Sequence, residues 1–470
     1  MVNRLVVAAP ASGSGKTTVA TGLMAALRRA GSRVAPFKVG PDYIDPGYHS
    51  LATNRPGRNL DPVLVGEQRI PGLFAHGSKG CDIAVVEGVM GLFDGRVDTA
   101  GVGSTAHVAK LINAPVLFVV DARGQSRSLA ALLHGFRGYD PTVRLGGVIL
   151  NQVGSERHEQ VLRSACDEVG LDVLGVLPRD PQFSLPSRHL GLVTAAEHGS
   201  EAVRAVDAIA AAVAQHVDLD AVRRLASSVP AMAVAAWEPK VEPVADEPLV
   251  AVAGGAAFTF GYAEHVEVLR AAGAAVAVVD PLNDEDLPEG TAGLVLPGGF
   301  PEQHAEALSA NAKLRGAVAR FARSGAPVHA ECGGLLYLAR SLDGHPMCGV
   351  LDAEGVMTSK LTLGYRDAVA AASSPLHPPG SRVTGHEFHR TQLSTPHSTP
   401  PAWHWRGVDS RPVAEGFVAG GVHASYLHTH PAGDPEAVAR FVRACHPFVA
   451  GVADGTVFAQ AKVRTPVELS

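Results

Sequence analysis

The sequence is short of paired cysteines, of long apolar runs and of basic clusters, and each shortage closes off a class of function. Five cysteines (Cys81, Cys166, Cys332, Cys348 and Cys445) are scattered along 470 residues with no Cys-x-x-Cys pair. An odd, widely spaced set argues against a disulfide frame or a zinc site and for a reducing compartment. No stretch approaches the roughly 18 uninterrupted apolar residues of a membrane span. The opening MVNRLVVAAP has no charged leader ahead of a long apolar run and enters directly into a strand pattern. A soluble, cytoplasmic protein without a membrane partner is the expectation. The formal net charge is −6, with no long basic run, so no nucleic-acid footprint is expected either.

Apolar residues make up 46% of the chain and charged residues 18%, enough to bury a sizeable core. Length alone suggests about three domains, and two larger α/β units fit equally. In the first half, apolar strands at Arg4–Ala9, Arg33–Lys38, Asp82–Glu87, Pro115–Asp121, Leu145–Asn151 and Asp172–Leu177 alternate with helical patterns such as Lys16–Ala30, Thr105–Asn113 and Glu156–Val169. That alternation predicts a parallel sheet covered on both faces. Proline and mixed charge in SSVPAMAVAAWEPKVEPVADEP mark a linker. A second α/β pattern starts at Leu249 and passes, after Met347, into what reads as shorter β elements before a final helix at Asp434–Cys445. The expected division is 1–226, a linker at 227–247, a second domain at 248–446 and a tail at 447–470.

Two reaction centres stand out. Ser12-Gly13-Ser14-Gly15-Lys16-Thr17-Thr18 follows a strand and opens a helix, the context of a phosphate-binding loop. Backbone N–H groups of Gly13, Ser14 and Gly15 would cradle phosphate, Lys16 would reach the β/γ-phosphates, and Thr17 would ligate Mg²⁺. The strict pattern fails at its first glycine, which is Pro10. Acidic residues that would complete a metal site follow: Asp42 and Asp45, read as lying on a loop after the second strand, then Glu87 and Asp94. Lys38 is placed to neutralise a transferring phosphoryl group.

The second centre is Ala330-Glu331-Cys332-Gly333-Gly334, a strand–turn–helix elbow whose helix start is expected to favour thiolate. Gly298 and Gly299 in LPGGFPE are candidate oxyanion donors. His428 is the candidate base, with His423 and His430 as rivals. HEFH at 386–389 begins like a zinc-protease helix, but the second histidine would fall on Arg390, so that reading fails.

Taken in order, ASGSGKTT, FKVGPDYIDPGYHS, VVEGVMGLFDG, LPSRHLGL, LPGGFPE, AECGGLLYL, LTLGYR, GHEFH and HASYLHTH resemble the cobyrinic/hydrogenobyrinic acid a,c-diamide synthases over nearly the whole chain. The resemblance implies a dethiobiotin-synthetase-like ATP domain joined to a class I glutamine amidotransferase domain. It implies a C–N ligase that amidates two carboxylates of a corrin polycarboxylate in cobalamin biosynthesis, with ATP and L-glutamine as co-substrates and Mg²⁺ as cofactor. Cys332 would be the glutaminase nucleophile and His428 the residue that activates it. Asp45 and Glu87 would serve as metal or substrate-carboxylate partners. Class I glutaminases usually carry glutamate two residues after that histidine; here the position is His430, so the orienting group is left open. The loop with Pro10 is the family's own type. Ammonia freed at one centre must reach an acyl phosphate at the other, which predicts a passage between the domains. Arg55, Arg188, His189, Lys360 and Arg366 are candidates to meet the substrate's carboxylates, and Lys38, Asp42 and Asp94 are further substrate candidates.

Cobyric acid synthase and nickel-sirohydrochlorin a,c-diamide synthase are enzymatic alternatives, and a P-loop regulatory protein is the non-enzymatic one. An Ala/Val/Arg-rich composition tilts the ring choice toward hydrogenobyrinic acid. A homodimer stays open.

Overall fold

The computed structural model describes residues 2–97, 99–180, 187–188, 191–192, 194–407 and 409–449, with side chains left out at 187–188, 191–192 and 195–198. The chain divides into two compact units, Met1–Glu238 and Pro239–Ser470. Each is mixed α/β.

The first unit is built on seven strands: β1 (Asn3–Ala8), β2 (Val34–Val39), β3 (Arg58–Leu60), β4 (Ile83–Glu87), β5 (Val116–Asp121), β6 (Leu145–Val153) and β7 (Val173–Pro178). They lie side by side in the order β3-β2-β4-β1-β5-β6-β7, and every pairing is parallel. The apolar runs require this. In β2 and β4 every residue is buried, which only a sheet covered on both faces provides. Helix α1 (Lys16–Arg29) follows β1, and α2 (Asp45–Thr53) follows β2. In register, Lys38 of β2 stands beside Glu87 of β4, and Val7 of β1 lies on the other side of Glu87. The carboxyl ends of β1, β2 and β4 therefore meet at one edge, where open α/β sheets bind ligands. Two short strands, β8 (Ser187–Arg188) and β9 (Gly191–Leu192), pair with each other. The side chain of Arg188 and all of His189 lie outside the described residues.

No helix or strand is formed between helix Leu219–Ser227 and Leu249. The stretch is nonetheless tied down near both ends. Pro230 O accepts from Arg4, and Trp237 N–H donates to Gly72 O, whereas Val244 N–H donates to Ala272 O in the second unit.

The second unit begins with parallel strands β10 (Leu249–Ala253), β11 (Ala275–Val279), β12 (Thr291–Leu296) and β13 (Val328–Glu331). It continues through β14 (Ser341–Leu342), β15 (His345–Pro346), β16 (Glu354–Ala370), β17 (Arg382–Leu393), β18 (Pro401–Arg406), β19 (Pro412–Ala419), β20 (Val422–Ser425) and β21 (His428–Thr429). Strand β20 pairs in parallel with β13, so the parallel core runs β11-β10-β12-β13-β20 before the sheet turns antiparallel. The region after Met347 corrects the expectation of short β elements: β16 is 17 residues long and β17 is 12. They form one antiparallel hairpin with a register shift between Met357 and Thr362. The shift breaks the inside–outside alternation that would have announced a long strand. The core packs Leu294, Leu296, Val328, Leu335, Leu336 and Tyr337 around Cys332.

Candidate active sites

In the first unit, Gly13 (φ 79°) and Gly15 (φ 92°) take left-handed backbone at the loop that leads into α1. A Cβ on Gly15 would also come within 2.2 Å of Asn151 Nδ2. That amide donates to Ser14 O at 3.1 Å, holding the loop against the end of β6. Lys16 Nζ donates to Met90 O at 2.6 Å and Ala11 O at 3.4 Å. Burial first, and then the charge of Lys38, pull the Lys16 ammonium down to about 8, against the carboxylates of Glu87, Asp45 and Asp94. Thr18 is half-buried in the first turn of α1.

Behind the loop lies a buried charged knot. Lys38 Nζ donates to Asp45 Oδ2 at 2.5 Å, Glu87 Oε1 at 2.9 Å and Gly88 O at 3.1 Å. Thr17 Oγ1 donates to Glu87 Oε1 at 2.5 Å and lies 3.4 Å from Asp45 Oδ2. His49 Nε2 is 2.7 Å from Glu87 Oε2, with both side chains fully buried. Burial alone would lower the Lys38 ammonium, but Asp45 and Glu87 outweigh it and hold it raised. Burial would likewise raise Glu87, but Lys38, His49 and Thr17 hold it below the usual carboxylate range. Asp45 goes the other way, pushed up by burial and by the charges of Asp42 and Glu87.

Asp45 is not on a loop, as its proline and glycine neighbours suggested; it is the first residue of α2. Proline is favoured just inside a helix start, and Pro46 stands there. Asp42 does lie on the loop, where its Oδ1 accepts from the N–H groups of Ile44 and Asp45 and shapes the helix entry. Asp94 is exposed and accepts from Gly91 N–H at 2.8 Å, closing its own turn. Arg55 donates to Lys79 O.

In the second unit, β13 runs out at Glu331, and Cys332 takes φ 45°, ψ −95° before the helix Gly333–Leu338. Such backbone in a residue other than glycine is strained, and strain of this kind clusters at functional turns. A Cβ on Gly333 would lie 2.9 Å from Gly299 N, and a Cβ on Gly298 would lie 2.4 Å from His428 Cε1. The fold thus gathers Cys332, Gly298, Gly299 and His428, which are remote in sequence. His428 enters on β21, paired in register with His386 of β17. The turn before it is held by Glu415, which accepts from Ser425 Oγ at 2.6 Å and Tyr426 N–H at 2.9 Å. Cys332 Sγ is 3.8 Å from Phe388 O.

The expectation of a thiolate favoured by the helix start is not met. Burial pushes the Cys332 thiol well above the usual cysteine range, Glu302, Glu331 and Glu387 add to it, and only the Gly333 N–H opposes. A six-residue helix cannot outweigh burial beside three carboxylates. The rival histidines are otherwise engaged: His423 packs against Trp403 and His329, and His430 Nδ1 accepts from Ala432 N–H at 3.1 Å. In HEFH, Glu387 Oε2 accepts from Arg366 Nε at 2.6 Å. Lys360 is exposed on β16. Among the described residues, no group of three or more His, Cys, Asp or Glu side chains is arranged to hold a metal ion. No described helix is long and apolar enough to cross a membrane.

Three residues of these sites escape the sequence reading: His49, Asn151 and Glu331. His49 stands four residues after Asp45, the spacing that puts both on one helix face. Asn151 is a polar residue near the carboxyl end of an apolar strand. Glu331 is the charge that ends the strand before Cys332.

A Gly/Ser loop at a parallel sheet edge and a strained cysteine turn packed near Gly298, Gly299 and His428 form the arrangement expected of a two-site amidotransferase. Residues 5–193 match the CobQ/CobB/MinD/ParA nucleotide binding domain, and residues 249–435 match the CobB/CobQ-like glutamine amidotransferase domain. The chain is 61% identical to the hydrogenobyrinate a,c-diamide synthase of Mycobacterium tuberculosis (strain H37Rv), over 94% of this chain and 97% of that protein. Identity to the enzyme of the same name from Streptomyces coelicolor is 57%, over 94% and 98%. To the cobyrinate a,c-diamide synthase of Syntrophotalea carbinolica it is 42%, again over 94% and 98%. The chain belongs to the hydrogenobyrinate/cobyrinate a,c-diamide synthase family.

Proposed function

We propose that this protein is a ligase that amidates the a and c carboxylates of hydrogenobyrinic acid, using ATP and the amide nitrogen of glutamine. The observation that carries the choice of ring is a gap in identity. Relatives named for hydrogenobyrinate share 52–61% with this chain, and those named for cobyrinate share 40–43%. The reading also takes the enzyme to act in the cytoplasm on a corrinoid substrate, without a nucleic-acid or membrane partner.

The chemistry divides between the units. A carboxylate is a poor electrophile, so its oxygen attacks the γ-phosphorus of ATP, ADP leaves, and an acyl phosphate results. In this reading the N–H groups of Gly13–Gly15, with Lys16 and Thr18, hold the phosphates, and Lys38 neutralises the group in transfer. Thr17, Asp45 and Glu87 supply oxygen donors only, which suits Mg²⁺ held jointly with substrate phosphates. Bound there, the ion would draw charge from the β- and γ-phosphates. Asp42 and Asp94, each bonded within its own turn, stay candidates to meet the substrate.

At the second site Cys332 attacks the glutamine carboxamide, and His428 takes the thiol proton and returns it to the departing ammonia. N–H groups of Gly298 and Gly299 face the oxyanion. Water then releases glutamate from the thioester. Ammonia displaces phosphate from the acyl phosphate, giving the amide. Cytosolic ammonia is mostly protonated and unreactive, so supply within one protein is an advantage; holding reactants together is worth up to about 7–11 kcal/mol.

The test uses purified protein, Mg²⁺, ATP and glutamine with either ring. Hydrogenobyrinic acid should yield the a,c-diamide, with one ADP and one glutamate per amide. A higher kcat/KM for cobyrinic acid overturns the choice of ring. Amide formed without ATP consumption overturns the reaction itself. Cys332→Ser should abolish glutamine-driven amidation while high ammonium still supports it.

A further inference from the structure

His428 needs a partner that fixes its tautomer, and the position two residues on, His430, faces Ala432 N–H and the ring of Tyr262, 4.1 Å away. Of the buried carboxylates near the cysteine, Glu387 is taken by Arg366 and Glu415 by Ser425 and Tyr426. Glu331 is placed differently. Its Oε2 lies 3.5 Å from Nδ1 of His428. Its Oε1 accepts from Thr429 N–H at 3.1 Å and from Thr429 Oγ1 at 3.0 Å, and lies 3.3 Å from His329 Nε2. The same carboxylate therefore faces the ring of residue 428 and clamps the backbone of residue 429.

Burial would raise the Glu331 carboxyl, but the neighbouring rings of His329 and His428 outweigh it and hold it well below the usual carboxylate range. It is an anion at neutral pH. A distance of 3.5 Å is long for a hydrogen bond, and catalytic contacts of this kind commonly tighten when substrate binds.

We propose that Glu331 is the positioning carboxylate of the glutaminase site, supplied by the residue before the nucleophile and not by the residue two after the histidine. It keeps the proton on Nδ1 of His428, leaves Nε2 as the basic nitrogen and stabilises the imidazolium once the Cys332 proton has moved. This rests on the reading of Cys332 and His428 as the glutaminase pair.

The experiment compares Glu331→Gln with the parent in the full-length protein. Glutamate release gives kcat and KM for glutamine. Alkylation by iodoacetamide reports the thiol, and ammonium-driven amidation reports the integrity of the chain. The expected result is a kcat lower by about 10²-fold or more, with KM changed little. Alkylation should persist and its rising limb move to lower pH, because a negative charge beside Cys332 has gone. Glu331→Asp should recover part of kcat. A kcat within about twofold of the parent overturns the proposal. So does a loss of kcat accompanied by loss of alkylation or of ammonium-driven amidation, which marks a structural role. Should Glu331→Gln not fold, Thr429→Val removes one donor to Oε1 and keeps the charge; an unchanged kcat there overturns the proposal. If Cys332→Ser retained glutamine-driven amidation, the underlying site assignment would fail, separately from Glu331.

Discussion

Gly298 lies against the ring of His428 so closely that a Cβ would stand 2.4 Å from Cε1. The candidate oxyanion donor and the candidate base are thus packed against each other with no room for a side chain between them.

Gly298→Ala should push the ring aside and lower glutamine hydrolysis. Displacements of about 1 Å at a reacting group can cost about 100-fold in rate. Steady-state glutamate release checks this, with ammonium-driven amidation as the internal reference. Wild-type hydrolysis in the variant would show that the ring has room to spare.

The pH dependence of hydrolysis should follow the raised Cys332 thiol. Burial is the main cause, and Glu302, Glu331 and Glu387 add to it. A raised thiol pKa means less thiolate at neutral pH, so the rate should climb as pH rises. Removing one negative charge lowers the thiol pKa, so Glu302→Gln should shift the rising limb to lower pH. Hydrolysis profiles of the two proteins provide the check.

Nucleotide binding should take up protons in mild alkali. Lys16 is pulled to about 8, chiefly by burial. Above that value it is largely neutral, and an incoming polyphosphate favours its charged form. Calorimetry in buffers of different ionisation enthalpy should show proton uptake above pH 8 that fades toward pH 7 and is lost in Lys16→Met.

Lys38→Met should destabilise the first unit. It leaves Asp45 and Glu87 buried side by side without the cation that both contact. Breaking a buried pair by removing one partner costs about 3–5 kcal/mol. Chemical denaturation followed by fluorescence measures the change, and a shift below about 1 kcal/mol would contradict it.

Much of this was legible in the residues. The parallel sheet followed from continuous apolar strands, and the tight strand-to-helix turns at residues 13–16 and at Cys332 from glycines at strand ends. Less legible was whatever depends on a partner remote in sequence. Asp45 looked like turn chemistry because its local neighbours are proline and glycine, yet it heads a helix. The β16–β17 hairpin was hidden by its register shift. Cys332 was expected to be acidified by a helix start, but the carboxylates that oppose this come from residues 302, 331 and 387.

The sequence by itself determined the two units, the strand-to-helix turns and the side chains able to do chemistry there, because those depend on periodicity and on backbone freedom within a few residues. Only the tertiary structure decided who faces whom: Lys38 between Asp45 and Glu87, Gly298 under His428, and Glu331 beside both Cys332 and His428. Register between parallel strands sets those meetings, and the electrostatics of a buried group are fixed by neighbours that burial brings in from anywhere along the chain.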